Sequence, residues 1–383
     1  MNKTKVGCSL FALLVFLASF LGAAWTINRF TNTAGYSAEP DIAIDGANIY
    51  VVWSDDTPGN TEIYFRKSTD GGVTWQAAKR LTNNAGESYS PAIAVSGAKV
   101  YVAWHDSTPA DSAYAIYFKS SADGGTTWKA AQRLTYTSGG SAFPRLAVNA
   151  SKVYVVWFDD TPGNREIYFR RSIDNGATWQ TAQRFTNTAG ASSAANVAVN
   201  NANVYVTWYD DTPGNREIYF RRSTDNGATW QTAKRFTNNA GASKYSSIAV
   251  NGANVYVTWQ DDTPGNLEIY FRKSADGGAT WQNAKRLTNT SGSSCYPAIS
   301  ANAANIYVTW WDDTSGAREI YFRRSADNGA TWKSATKITN STLLYEYESP
   351  KVASNINKVF VVYFDETPGN YEIYLEYSPV AAL

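Results

Sequence analysis

Cysteine, histidine and methionine are almost missing from this chain of 383 residues, which holds two Cys, one His and one Met. A disulfide framework is therefore excluded. Cys8 falls in an apolar leader, too early to look like a lipidation site, and Cys295 is then alone, expected as a buried or semi-buried free thiol. An excess of one charge is missing too: 34 Lys and Arg stand against 33 Asp and Glu, without a basic stripe or a charge run. Nucleic acid is thereby excluded as a partner, because phosphate binding needs clustered cations. After the first two dozen residues no long apolar run occurs, so no membrane span is expected once the leader is removed. No motif calls for a cofactor.

The leader itself reads as an export signal. Lys3 and Lys5 precede an apolar stretch at 10–21, and Gly22-Ala23-Ala24 offers small residues for cleavage. Residues 1–24 are expected to be a signal peptide and the mature chain to begin at Trp25, with a retained N-terminal anchor as the alternative. Either way the destination is extracellular or the cell envelope.

What the chain has in quantity is aromatic residues, 25 Tyr and 14 Trp, amid Thr, Asn and Gly. That is the palette of strands and tight turns. Length alone suggests about two or three domains, but an internal repeat overrides it. Trp53, Trp104, Trp157, Trp208, Trp259, Trp310 and then Tyr363 recur at spacings of 51 or 53 residues. In one period, residues 196–199, 203–208 and 217–222 alternate as strands A, B and C, and 230–236 leads into strand D. Repeats of this length, each one four-stranded sheet, suit propeller blades, whose faces are buried only by their neighbours. The predicted fold is all-β: a seven-bladed β-propeller of four-stranded antiparallel blades, occupying 25–383 as a single domain. The last period supplies strands at 351–353, 358–363 and 372–377 and then stops. Thr26-Ile27-Asn28-Arg29-Phe30-Thr31 matches the strand D text of later repeats, so the N-terminal strand is predicted to close the ring.

Between strands C and D sits an octet of the form S-x-D-x-G-x-T-W, at 68–75, 121–128, 172–179, 223–230, 274–281 and 325–332. A carboxylate accepting backbone N–H groups, a left-handed Gly and local hydroxyl bonds make it a folded turn. These octets resemble the Asp boxes, or BNR repeats, of the sialidase-like superfamily, over nearly the whole mature chain. The resemblance implies a propeller, and implies a structural role for Asp70, Asp123, Asp174, Asp225, Asp276 and Asp327 on the side away from any ligand. It also implies the chemistry of sialidases: three arginines gripping a carboxylate, a Tyr–Glu nucleophile pair and an Asp acid/base, an exception to the usual two-carboxylate route. Here the chain departs. Where the family carries an F/Y-R-I-P motif the first strand A reads Glu39-Pro40-Asp41-Ile42, the nearest echo is Phe143-Pro144-Arg145-Leu146, and neither matches. The repeated Arg170/Arg171, Arg221/Arg222 and Arg323/Arg324 read as blade packing or a repeated surface feature.

Alternation places the B–C and D–A loops at one end of the ring and the A–B loops and Asp boxes at the other. The B–C loop, as in Asp55-Asp56-Thr57-Pro58-Gly59-Asn60, suggests a type II turn centred on Pro-Gly. Its paired carboxylates are weighed against calcium and read instead as turn caps, so no metal site is assigned. Positions that vary among matching blades are the ligand candidates. After the strand B aromatic come Ser54, His105, Phe158, Tyr209, Gln260, Trp311 and Phe364, and at the start of strand A come Glu39, Ser90, Phe143, Ala194, Tyr245, Tyr296 and Ser349. Farther in stand Asp41, Arg145, Asn196 and Lys351. Exposed aromatic platforms beside charges and amides would suit a glycan. The D–A loop Tyr345-Glu346-Tyr347-Glu348 is distinctive, and Tyr345 is added to the set. His105 reads as a substitution, not a catalytic base.

Near-identical blades argue against a convergent catalytic set. The expected function is a secreted, monomeric, non-enzymatic binding protein whose partner is a glycan or a surface protein. The alternatives are a sialidase-like glycoside hydrolase of the exo-α-sialidase type and a structural envelope protein.

Overall fold

The computed structural model describes residues 25–108, 113–340, 350–366 and 369–383. The signal segment 1–24 and the loop bearing Tyr345 lie outside the described residues. Seven antiparallel sheets of four strands form the ring. Blade 1 runs outward as strand A (Ser37–Asp45), B (Asn48–Asp55), C (Glu62–Ser68) and D (Lys79–Arg80). Blade 7 takes Lys351–Ser354, Lys358–Asp365 and Glu372–Pro379 from the end of the chain, and Thr26–Arg29 from its beginning. The register pairs Thr26 with Tyr377 and Arg29 with Tyr374, so the first strand closes the ring as predicted.

Strand B carries the core. In blade 4 every residue of Asn203–Asp210 after the first is buried, because sheets on both sides cover it. Its Trp208 stacks on Tyr219 of strand C with centroids 5.8 Å apart. Strand A is longer than predicted, Ser192–Asn200, because a bulge carries pairing past residue 194. Strand D shrinks to Lys234–Arg235 at the solvent-facing rim, where one pairing partner is all it has.

Neighbouring blades are stapled by the strand C basic residues. The first reaches back to strand D of the preceding blade, as Arg66 Nη1 donates to Phe30 O (2.9 Å) and Arg272 Nη1 to Phe236 O (3.1 Å). The second reaches forward to the next Asp box, as Lys67 Nζ donates to Gly124 O (2.7 Å) and Arg222 Nη1 to Gly277 O (2.5 Å). The repeated pairs therefore pack blades.

Each Asp box closes on itself. Ser223 Oγ donates to Asp225 Oδ1 (2.7 Å), and Asp225 also accepts Thr229 N (2.9 Å) and Thr229 Oγ1 (2.6 Å). The box Trp then abuts the Phe of the preceding blade, as Trp230 meets Phe169 at 4.9 Å edge-on. Gly227, at φ +76, leaves room for that Phe: a Cβ there would lie 2.8 Å from its ring. Blade 7 has no octet, and Trp25 takes the place of its Trp, edge-on to Phe322 at 5.0 Å. The N-terminus thus brings both the missing strand and the missing plug.

Candidate functional site

The start of strand A shapes the mouth of the axial channel. In blades 1 to 6 the A–B register shifts at this point, for example between Ala38 and Asp41 and between Ser193 and Asn196. The first extra residue of each bulge takes the left-handed conformation: Glu39 (φ 55), Ser90 (48), Phe143 (54), Ala194 (53), Tyr245 (53) and Tyr296 (52). For a residue with a Cβ this costs about 1 kcal/mol or more each. Bulges re-aim side chains, and all six residues line one cavity of about 590 Å³. The variable column at the start of strand A is thus a ring of side chains held at the opening.

Beneath that ring the wall is chemically uneven. Asp41, Arg145, Asn196 and Lys351, from four different blades, all line the cavity, together with Phe143, Tyr245 and Tyr296. Asp41 accepts the Ile93 amide at 2.9 Å. Desolvation pushes its pKa up, against the pull of Lys351, the Ile93 amide and Arg145. Asn196 Nδ2 is anchored to Ser246 O at 2.6 Å, and Arg145 Nη1 donates to Pro144 O at 3.0 Å. Unlike residues therefore converge here despite the repeat, which removes the symmetry objection to a catalytic set.

Two further residues line the cavity: Glu39, one of the variable positions at the start of strand A, and Arg165, which the sequence reading did not single out. Glu39 accepts the Ser90 amide, Ser90 Oγ (2.9 Å) and Ser54 Oγ (3.1 Å). Arg165 lies over the Phe158 ring at 4.6 Å. Its signal was the column before strand C, which reads Thr61, Tyr114, Arg165, Arg216, Leu267, Arg318 and Tyr371 while the following Glu is nearly constant.

His105 and Trp311 are corrections. The column after the strand B aromatic forms a layer under the mouth, with Ser54, His105, Phe158, Tyr209, Gln260 and Trp311 all buried. Strand B is paired on both sides, and the bulge residues of strand A overlie it. Phe143 stacks on Phe158 (5.7 Å), and Tyr296 stacks on Trp311 (6.0 Å). His105 is packed among Tyr89, Tyr114 and Phe143 at 5.8, 5.1 and 5.3 Å. Burial lowers its pKa to about 4, leaving a neutral imidazole. Phe143, 46% exposed, is the most open aromatic of the rim.

The B–C turns spend their carboxylates locally. Asp159 accepts Ser141 Oγ (2.6 Å) and Thr161 N (2.9 Å), and Asp160 accepts Gly140 N (2.6 Å). The turn itself is shifted from expectation. Gly163 N donates to Asp160 O at 3.0 Å, so Thr161 and Pro162 are central and Gly163 follows at φ +100. The Asp159 cap on Thr161 starts the turn one residue early.

Among known proteins, the BNR repeat-like domain family matches residues 48–257. The xyloglucanase Xgh74A of Acetivibrio thermocellus is 26% identical over 248 residues, 56% of this chain and 28% of the relative. The chain thus spans under a third of that relative's length. Among solved structures, an α-L-arabinofuranosidase from Fusarium graminearum bound to an iminosugar inhibitor aligns with TM-score 0.54 and 14% identity, over 76% of this chain and 93% of that one. The phage phi92 endosialidase gives TM-score 0.54 at 10% identity, over 94% and 69%. A Trypanosoma rangeli sialidase mutant displaying trans-sialidase activity gives TM-score 0.54 at 10%, over 94% and 60%. At these identities the likeness is one of fold, a sialidase-like β-propeller.

Proposed function

The chain belongs to the BNR repeat-like domain family, and from that premise we propose that it is an exported glycoside hydrolase of the sialidase-like kind, taking the terminal sugar of a glycan into the axial cavity. The observation that carries this reading is Asp41. Its carboxyl is biased toward the protonated form beside Arg145 and Lys351, in a cavity of about 590 Å³ edged by Phe143, Tyr245 and Tyr296. A protonated carboxyl can donate to a departing glycosidic oxygen. Arg145 and Lys351 favour a carboxylate or dense hydroxyls on the sugar, and the aromatic rings offer stacking faces. The relatives named as acting on or binding sugars support a carbohydrate ligand. The leader 1–24 supports export, and the ring is read as a monomer.

A binding-only role is the second reading, favoured by Glu39. Its three hydrogen bonds to Ser54 and Ser90 hold the second mouth carboxylate in place. Fluorogenic sialosides and arabinofuranosides, run beside a glycan array, separate the two. Turnover reduced at least 100-fold in Asp41→Asn, about 3 kcal/mol of barrier, supports the hydrolase. Glycan binding lost in Arg145→Ala without turnover supports the lectin. Neither turnover nor glycan binding would sink both.

A further inference from the structure

The aromatic rim has a gap. Phe143 stands on blade 3, and Tyr245 and Tyr296 stand on blades 5 and 6 with ring centroids 4.4 Å apart. Between them, on blade 4, the same left-handed position is Ala194 (φ 53), the smallest side chain of the ring. On the opposite side Glu39 and Ser90 close the wall by bonding each other. Among the described residues the rim is therefore lowest at Ala194.

Two cations flank this side of the cavity, Arg165 in its lining and Arg216 on the outer side of the lining residue Tyr209. Arg165 of blade 3 covers the Phe158 ring at 4.6 Å, and Arg216 of blade 4 covers the Tyr209 ring at 5.3 Å. Both are exposed at the start of strand C. Their backbones are held, since Ser192 N donates to Arg165 O and Ser243 N to Arg216 O, each at 2.7 Å. The two rings they cover, Phe158 and Tyr209, both line the cavity beside Ala194, and the Tyr209 phenol feels both positive charges. The acidic groups of the adjoining turns are occupied: Asp160 accepts Gly140 N and Asp211 accepts Ala191 N. Among the described residues neither Arg165 nor Arg216 forms an ion pair. A guanidinium with one face on an aromatic ring is fixed in orientation and keeps its N–H edge for a forked acceptor.

We infer that Arg165 and Arg216 form a second, outer subsite that grips a carboxylate or sulfate of a glycan leaving the cavity over Ala194, so that the ligand is an acidic oligosaccharide longer than the cavity. The inference rests on the reading of the cavity as a glycan site.

Calorimetric titration of the mature chain tests it. Three probes are used: oligogalacturonides of increasing length, heparin fragments, and neutral cello-oligosaccharides. Affinity is expected to rise with length for an acidic series only, and the series that gains identifies carboxylate or sulfate as the group held. Arg216→Ala is expected to lose about tenfold on long acidic oligomers and nothing on the shortest member of the series. Ala194→Tyr copies the residue that blades 5 and 6 carry at the same backbone conformation, and is expected to weaken long oligomers more than short ones. An unchanged length dependence in both variants, or an equal gain for the neutral series, overturns the subsite. Should Arg145→Ala abolish binding while those two variants behave as wild type, the cavity reading stands and the outer subsite falls. No binding by any acidic oligomer also overturns it, even where a neutral glycan still enters the cavity.

Discussion

The Tyr363 hydroxyl donates a 2.6 Å hydrogen bond to Glu376 inside blade 7, at two positions where the other blades carry a Trp and an Arg or Lys. Glu376 is fully buried, and among the described residues its other oxygen has no hydrogen-bond partner. Burial pushes its pKa up to about 7, against the lowering effect of the Tyr363 bond. A folded-state pKa above the ordinary carboxyl value means that the folded protein holds this proton more tightly than the unfolded chain. Stability therefore falls as pH rises from about 4.5 through about 7. Denaturation across this range should show a loss of about 3 kcal/mol in wild type from this group. In Glu376→Gln that loss should vanish. A profile equally steep in the variant would place the pH dependence elsewhere.

Ring closure should be the weak point of the whole molecule. Thr26–Arg29 pairs with Glu372–Pro379, Phe30 meets Trp75 edge-on at 4.7 Å, and Arg29 binds the buried Glu372 at 2.8 Å. Deleting residues 25–32 strips the pairing from strand C of blade 7 and leaves Glu372 buried without its cation. The expected result is loss of cooperative melting, not a small shift in midpoint. Arg29→Ala alone should cost about 2 kcal/mol, read from urea midpoints.

The Asp boxes set the acid limit. Hydrogen bonds from Thr229 and Ser223 hold the Asp225 carboxyl well below the usual range, and Thr178 and Ser172 do the same for Asp174. A depressed folded-state value means that this stabilisation is complete above the ordinary carboxylate pKa and is lost as pH falls through the lowered one. Asp225→Ala should lower the melting temperature at pH 7 and lessen its decline below pH ~4. Glycan affinity at the mouth should be untouched, because the box lies at the far end of the ring. A fall in affinity that exceeds the loss of folded protein would contradict this.

The blades were legible because their information is local and repeated. Trp53 and its successors mark strand B, the octets mark one turn, and Thr26-Ile27-Asn28-Arg29-Phe30-Thr31 matches a strand whose partner was missing. The mouth was only half legible. Variation picked out Glu39 and Tyr245, but their left-handed backbone runs against the preference of these residue types and is imposed by the bulge between strands A and B. Variation likewise singled out Trp311 and His105 without saying that the bulge residues would overlie them. Arg165 went unnoticed because it sits at the start of strand C, in a column whose side chains meet the mouth only once the strands fold side by side.

Asp41 and His105 should separate cleanly in their response to pH. Burial lowers the His105 pKa to about 4, with Glu39 and Asp106 pulling upward and Arg145 downward. The imidazole is therefore neutral through the range in which an unperturbed histidine titrates. Its effect is on stability: a folded-state value below the ordinary 6.5 means that stability is lost as pH falls from there toward about 4. His105→Gln should relieve that loss and leave the pH profile of turnover or binding where it was. Asp41 behaves oppositely, since its raised pKa keeps a protonated carboxyl at the mouth to higher pH than an exposed aspartate could. Function that needs that proton should decline as pH rises, and Asp41→Asn should flatten the alkaline limb. Should the limb follow His105→Gln instead, the proton assigned to Asp41 would belong to the imidazole.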